Sequence, residues 1–296
     1  MLSYLLAVAV VALIYSLMTL ALNLQFGFTG LINFGVVGFF AIGAYTSALL
    51  SQAGLPLELT LPCAALAAGL AAWPVALLSL RLRIEYFAIV MLGYAETIRL
   101  VISQEEWLTG GVRGLPGIAS LSVGLGIPGD PTLVAFALAL ACVVGAVLVS
   151  RRLVHSPFGR MIQAIRDDED AVRALGKSPG RFKVAVFVVS CLFVGLSGGL
   201  YAHYITYLAP DQFGALLTFY IWVAMILGGA GSVGGALVGS AILLGFIEGS
   251  RFLHDLLPGV SAVEMSSVRL GVIGLSMMLL MRFRPQGLLG GKAGCG

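Results

Sequence analysis

An all-α polytopic membrane protein with about 8–10 transmembrane helices is the fold class this sequence predicts, and three observations carry it. Charged residues make up 10% of the chain and hydrophobic residues 59%, whereas soluble domains carry roughly 25% charged residues. Mean hydropathy is +1.02, which one large core does not explain, because charged residues still have to cover a core's outer surface. Apolar runs of about 20 residues, the length that crosses a hydrocarbon layer of roughly 30 Å, recur between polar breaks. Residues 1–296 therefore read as a single transmembrane domain, with Gly-interrupted segments in two related halves.

The runs place helices near 2–22, 36–51, 60–80, 84–103, 131–150, 183–207, 215–229, 233–251 and 267–283. The first lacks a basic start and a small-residue cleavage site and is long for a signal-peptide core, so it reads as a helix. Alternation of loops puts 23–35, 81–85, 151–183 and the C-terminal tail on one side. Those segments hold 13 of the 17 Lys and Arg residues, from Arg81 and Arg83 through the cluster Arg151 to Lys183 to Lys292. The positive-inside rule makes that side cytoplasmic. Cys63, Cys142, Cys191 and Cys295 have no C-x-x-C spacing and suggest neither a zinc site nor a disulfide framework.

The stretch Phe26–Gly38 echoes Leu227–Gly239 at an offset of 201 residues, sharing the pattern G-x-x-G-x7-G through Gly27, Gly30 and Gly38 and through Gly228, Gly231 and Gly239. Two readings stand. Paired glycine interruptions in corresponding halves point to a transport path, and glycines also let helices pack closely.

Two nucleotide-site patterns fail. Gly176-Lys177-Ser178 resembles the end of a phosphate-binding loop, but the required first glycine is Ala171, and an acidic helix precedes it in place of a strand. Gly124 to Gly129 fits G-x-G-x-x-G with no strand before it, in an extracytoplasmic loop. The chain is expected to bind no ATP. No H-E-x-x-H or G-x-S-x-G pattern supports an enzyme.

The cytoplasmic segment 151–183 is the most informative. Ser156-Pro157 reads as an N-cap followed by proline at the first helical position, and Phe158, Met161, Ile162 and Ile165 recur on one face. The acids Asp167 to Asp170 offer a cap for a second short helix ending at Gly176. An interfacial helix on lipid headgroups is the plain reading. Four consecutive acids suit an anionic membrane surface poorly, so a groove on a protein partner fits better.

Within the apolar runs, Glu96 and Arg99 are spaced to pair on one helical face, either beside a solute route or reaching the outer interface. His203, among Tyr201, Tyr204 and Tyr207, reads as an interfacial belt residue rather than a proton carrier. Paired carboxylates that would relay protons deep in the membrane are not evident, which weakens a stand-alone ion-coupled carrier.

The chain resembles the branched-chain amino acid ABC transporter permease family, LivM-type subunit, over nearly its whole length. The matching stretches are 23–45, 86–99, Leu108-Thr109-Gly110-Gly111 with Gly114 to Ile118, 159–176, Tyr201 to Tyr204 with Pro210, Asp211 and Phe213, 227–239, and Phe283 to Leu288. The resemblance implies a bacterial inner-membrane subunit paired with a second homologous permease, two cytoplasmic ATPase subunits and a periplasmic solute-binding protein. ATP and Mg then belong to the ATPases, and this chain binds no cofactor, metal or nucleic acid. Permeases of such importers dock through a loop patterned E-A-A-x3-G, which falls on Asp170, Ala171, Val172 and Gly176, with Ala174 and Leu175 in the same helix. Asp replaces Glu, Val replaces the second Ala, and no I-x-L-P follows. The expected path comprises the six echoed glycines, Asn33 as a hydrogen-bonding group, Phe34 and Phe39 as apolar walls, and Glu96. A permease for urea, short amides or sugars remains the alternative cargo reading.

Overall fold

The computed structural model describes residues 2–80, 82–124 and 130–256, with 271, 274–275, 282 and 287–289. Its main helices are α1 (Leu2–Leu22), α2 (Val36–Gln52), α3 (Leu57–Leu78), α4 (Ile84–Gln104), α5 (Pro131–His155), α6 (Pro157–Asp167), α7 (Glu169–Ala174), α8 (Pro179–Ile205), α9 (Ala215–Gly228) and α10 (Val233–Leu256). No strand occurs among the described residues; Leu115 and Leu208 form an isolated bridge. The architecture is the expected all-α one. The ninth helix expected over 267–283 lies outside the described residues, apart from isolated positions, as do Arg81 and Cys295.

Five described helices, α1, α3, α4, α5 and α8, are long and apolar enough to cross a membrane, while α2, α9 and the apolar part of α10 are shorter. At about 1.5 Å per residue, the 17 residues of α2 rise about 25 Å and the 14 of α9 about 21 Å. Both fall short of the roughly 30 Å layer. Non-helical chain has to supply the rest, and it does so where the glycine echo predicts interruptions.

The connections collect at two ends. At one, segment 79–85 faces 169–183 across a recess, and 231–234 faces 151–163. At the other, Gln52 donates to the Pro116 carbonyl (2.9 Å), Leu115 and Leu208 exchange backbone bonds, and Arg99 reaches Asp211 at 3.7 Å. The first end is the Arg- and Lys-rich one.

The centre is formed by α1, α2 and α8, where Leu17, Met18, Phe39, Phe40 and Phe187 are wholly buried. Lipid tails provide no hydrophobic drive between helices, so close backbone approach has to hold them together. A methyl group on Gly43 would overlap the Gly195 backbone, and one on Gly198 the Phe40 carbonyl. By contrast α3, α4 and α5 turn Leu70, Trp73, Ile89, Val101 and Leu148 outward.

Two helix ends depart from the hydropathy reading. The fifth helix was expected to stop at 150, yet α5 continues to His155, where Arg152 and His155 occupy a last turn whose carbonyl end favours cations. The helix expected from 183 begins at Pro179, with proline in the first turn. His203, expected at the interfacial belt, is instead wholly buried. Its Nδ1 bonds the Ala119 carbonyl (2.8 Å), fixing the proton there, so Nε2 accepts from Ser47 Oγ at 2.8 Å. One imidazole thereby ties α8 to α2 and to the 104–130 connection.

The projecting helix and the paired chain breaks

The first break begins as a π-helical turn, Asn23–Gly27, at the end of α1. Gly30 has φ +76°, and the chain stays non-helical until Val36. Non-helical backbone at membrane depth requires partners for its polar groups. Side chains provide them. The Asn33 Oδ1 accepts from Gly35 N–H (2.7 Å), Trp222 Nε1 donates to the Asn33 carbonyl (3.0 Å), and Val37 N–H donates to Thr218 Oγ1 (3.3 Å). The Asn33 amide nitrogen in turn donates to Gln25 Oε1 at 2.9 Å.

The second break separates α9 from α10, with Gly229 at φ +114° and Gly231 at +81°. Only glycine adopts such values without a Cβ penalty. The two breaks touch. The Asn23 Oδ1 accepts from Gly231 N–H (2.8 Å) while its Nδ2 donates to the Ser232 carbonyl (2.8 Å). Equivalent glycines of the echo do equivalent work. Gly30 and Gly231 both hold positive φ; Gly38 lies against Ala95, and Gly239 against Ala224 and Gly228, so both are close-packing positions. Chain interruption and close packing are thus both present, at different positions of the same motif.

The expected path residues divide by exposure. Asn33 and Phe39 are wholly buried, Phe39 against Tyr94 and Phe187. Phe34 is half-buried and packs on Phe219 and Trp222 at ring separations of 5.8 and 5.0 Å. Glu96 keeps 45% of its side chain exposed and pairs with Arg99, with Nε at 3.1 and 3.0 Å from its two oxygens. That pair reaches Asp211, at the end opposite α7.

At the basic end, Ser156 caps α6 by accepting from Gly159 N–H (3.2 Å), and Asp168 caps α7 by accepting from Asp170 and Ala171 N–H (3.0 Å each). Gly176 closes α7 at φ +72°. Of the expected coupling positions, Val172 faces inward at 5% exposure, whereas Asp170, Ala171, Ala174 and Gly176 are exposed and Leu175 stands 79% exposed. A short helix with small residues around one protruding leucine is a shape made for a groove.

Two side chains fasten this projection to the membrane body. Lys183 of α8 donates to Glu169 at the start of α7 (2.5 Å). Arg166, at the end of α6, donates through Nη1 to the Gly27 carbonyl (2.6 Å) and through Nε to Asp167 (3.2 Å). Gly30 lies beneath its Cγ, and Gly231 beside its guanidinium. Sequence reading missed Arg166, Asn23, Gln25 and Trp222 as parts of this assembly. Asn23 and Gln25 did carry a signal, because amides buried in an apolar segment need partners.

A family model described as branched-chain amino acid transport system / permease component matches residues 4–281, a span that includes both breaks and α7. The chain belongs to this family. It is 35% identical to the high-affinity branched-chain amino acid transport system permease protein LivM of Escherichia coli (strain K12), over 95% of this chain and 69% of that protein. It is 23% identical to the probable branched-chain amino acid transport permease protein LivM of Methanocaldococcus jannaschii, over 93% of this chain and 90% of that protein. The autoinducer 2 import system permease protein LsrC of Photorhabdus laumondii is 26% identical over 59% of this chain and 48% of that protein. No solved structure gives a significant match. As a member of the branched-chain amino acid permease family, the chain is a multi-pass membrane transport component. None of its described residues forms a cluster of His, Cys, Asp or Glu able to hold a metal.

Proposed function

We propose that this chain is the permease subunit of an ATP-binding-cassette importer that carries branched-chain amino acids across the bacterial inner membrane. The observation that carries the mechanism is the junction at Arg166, where the segment presenting the coupling helix is hydrogen-bonded to the first break and lies against the second. Two cytoplasmic ATPase subunits, holding ATP and Mg, would receive Ala171, Ala174 and Leu175. A second, homologous permease would complete the path, and a periplasmic solute-binding protein would deliver the cargo at the Asp211 end.

In this reading ATP binding draws the ATPases together and carries α7 with them. The motion passes through Lys183 to α8 and through Arg166 to the breaks, which are the non-helical points where the bundle has two arrangements available. Phe34 and Glu96 are the path candidates retained, being only partly buried, since Asn33 and Phe39 are enclosed by the chain's own packing. A second reading keeps the mechanism and changes the cargo. The likeness to an autoinducer 2 permease supports it, because the selecting protein is a separate polypeptide.

The test is reconstitution of the chain with its ATPases and binding protein in liposomes. Uptake of labelled leucine that requires internal ATP and the binding protein is the expected result. Uptake by this chain alone down an ion gradient would replace the proposal with a stand-alone carrier. Calorimetry of the binding protein against leucine, isoleucine, valine and urea would decide the cargo.

A further inference from the structure

Two adjoining cavities meet at one arginine, Arg151. The first is a recess at the basic end, lined by Arg151, His155, Arg160, Gln163 and the second break from Gly231 to Gly234. No carboxylate lines it, and neither Arg151 nor Arg160 forms an ion pair among the described residues. The second is an apolar groove between α1, α5 and α10, running along Leu140, Val144 and Leu148 of α5 and closing at Arg151 against Leu237.

The dimensions match one leaflet. Leu140 to Arg151 is eleven residue steps of helix, about 16 Å, and half of a roughly 30 Å hydrocarbon layer is about 15 Å. By the positive-inside rule its charged end belongs at the cytoplasmic headgroup level, where anionic lipids attract basic residues and basic pockets between spans hold anionic headgroups. We propose that this composite cavity is a binding site for one anionic phospholipid of the inner leaflet, with its phosphate between Arg151 and Arg160 and an acyl chain along the α5 groove. Because Gly231 and Ser232 line the headgroup recess, the lipid would brace the second break. The site needs only the membrane topology and stands whatever the cargo proves to be.

The experiment is native mass spectrometry of the detergent-purified transport complex, titrated with phosphatidylglycerol and with phosphatidylcholine of identical acyl chains. The expected result is at least tenfold preferential retention of phosphatidylglycerol. Arg151→Gln with Arg160→Gln should bring the two lipids within twofold, and Val144→Trp, which fills the groove but keeps both arginines, should weaken retention of both. Equal retention by the unaltered complex, or preference surviving in the double variant, overturns the site. Should the double variant fail to assemble, Val144→Trp with undiminished phosphatidylglycerol retention overturns it as well. A parallel arm adds inorganic phosphate; displacement of the lipid by millimolar phosphate would assign the recess to a free anion and also overturn the proposal.

Discussion

Arg166 donates a 2.6 Å hydrogen bond to the carbonyl of Gly27, joining the projection of α6 and α7 to the end of the first membrane helix across 139 residues of sequence. A guanidinium at a helix C-terminus meets the negative end of the peptide dipoles, and its bond to a carbonyl is charge-assisted. Arg166→Gln should therefore leave the ATPases bound and hydrolysing while reducing uptake at least tenfold. A bond of about 1.5–3 kcal/mol biasing a two-state equilibrium has that reach. Uptake and ATP turnover measured on one preparation would check it, and unchanged coupling would remove Arg166 from the transmission route.

Ala174→Glu tests the docking face. Ala174 is exposed on α7 beside Leu175, so the change should spare the fold and place a desolvated charge in the partner's groove. Loss of ATPase copurification is the expected outcome. Intact assembly with full uptake would mean that the ATPases dock elsewhere.

Gly30→Ala separates backbone strain from coupling. Gly30 and Gly54 both hold positive φ, +76° and +87°, but a Cβ on Gly54 meets open space, whereas one on Gly30 lies 3.3 Å from Arg166 Cγ. Left-handed backbone alone costs about 1–2 kcal/mol in either variant. Gly30→Ala should lower thermal stability more than Gly54→Ala and alone impair uptake; equal effects on both measurements would show that Gly30 matters only as a turn.

Asn23→Ala should destabilise the chain by about 1–3 kcal/mol, because it leaves the Gly231 N–H without its partner, while the Ser232 carbonyl keeps the bond from the Ala236 N–H at 3.1 Å. Thr19→Ala is the control, since Thr19 bonds only the Tyr15 carbonyl within its own helix. Thermal unfolding in detergent would compare them, and similar melting points would deny the clasp its role.

His203→Leu should destabilise by a similar amount by orphaning the Ala119 carbonyl and Ser47. His203→Gln, able to donate and accept, should restore uptake to within twofold at every pH. A pH profile altered by the Gln variant would instead identify His203 as a proton carrier.

Local chemistry made the projection legible in advance. The Ser156 and Asp168 caps and the Gly176 terminus each act within a few residues, so the sequence carries their whole cause. The breaks were legible only as glycines. Their polar groups are satisfied by Trp222, Thr218 and Ser232, between 181 and 209 residues away, which no local pattern encodes. The Asn33 amide is occupied by Gln25 and Gly35, eight and two residues away, but only because the chain folds back on itself between α1 and α2, so it read as a group offered to solute. Hydropathy located the spans but stopped α5 at its first charge, because a transfer scale does not register that a helix continues into the headgroup layer.

The pair of hydrogen bonds by which Asn23 clasps Gly231 and Ser232 has one more consequence. It works as a rivet through two blades, so the two repeats cannot swing independently, and fluorescent reporters placed on either half should relax with a single shared time constant.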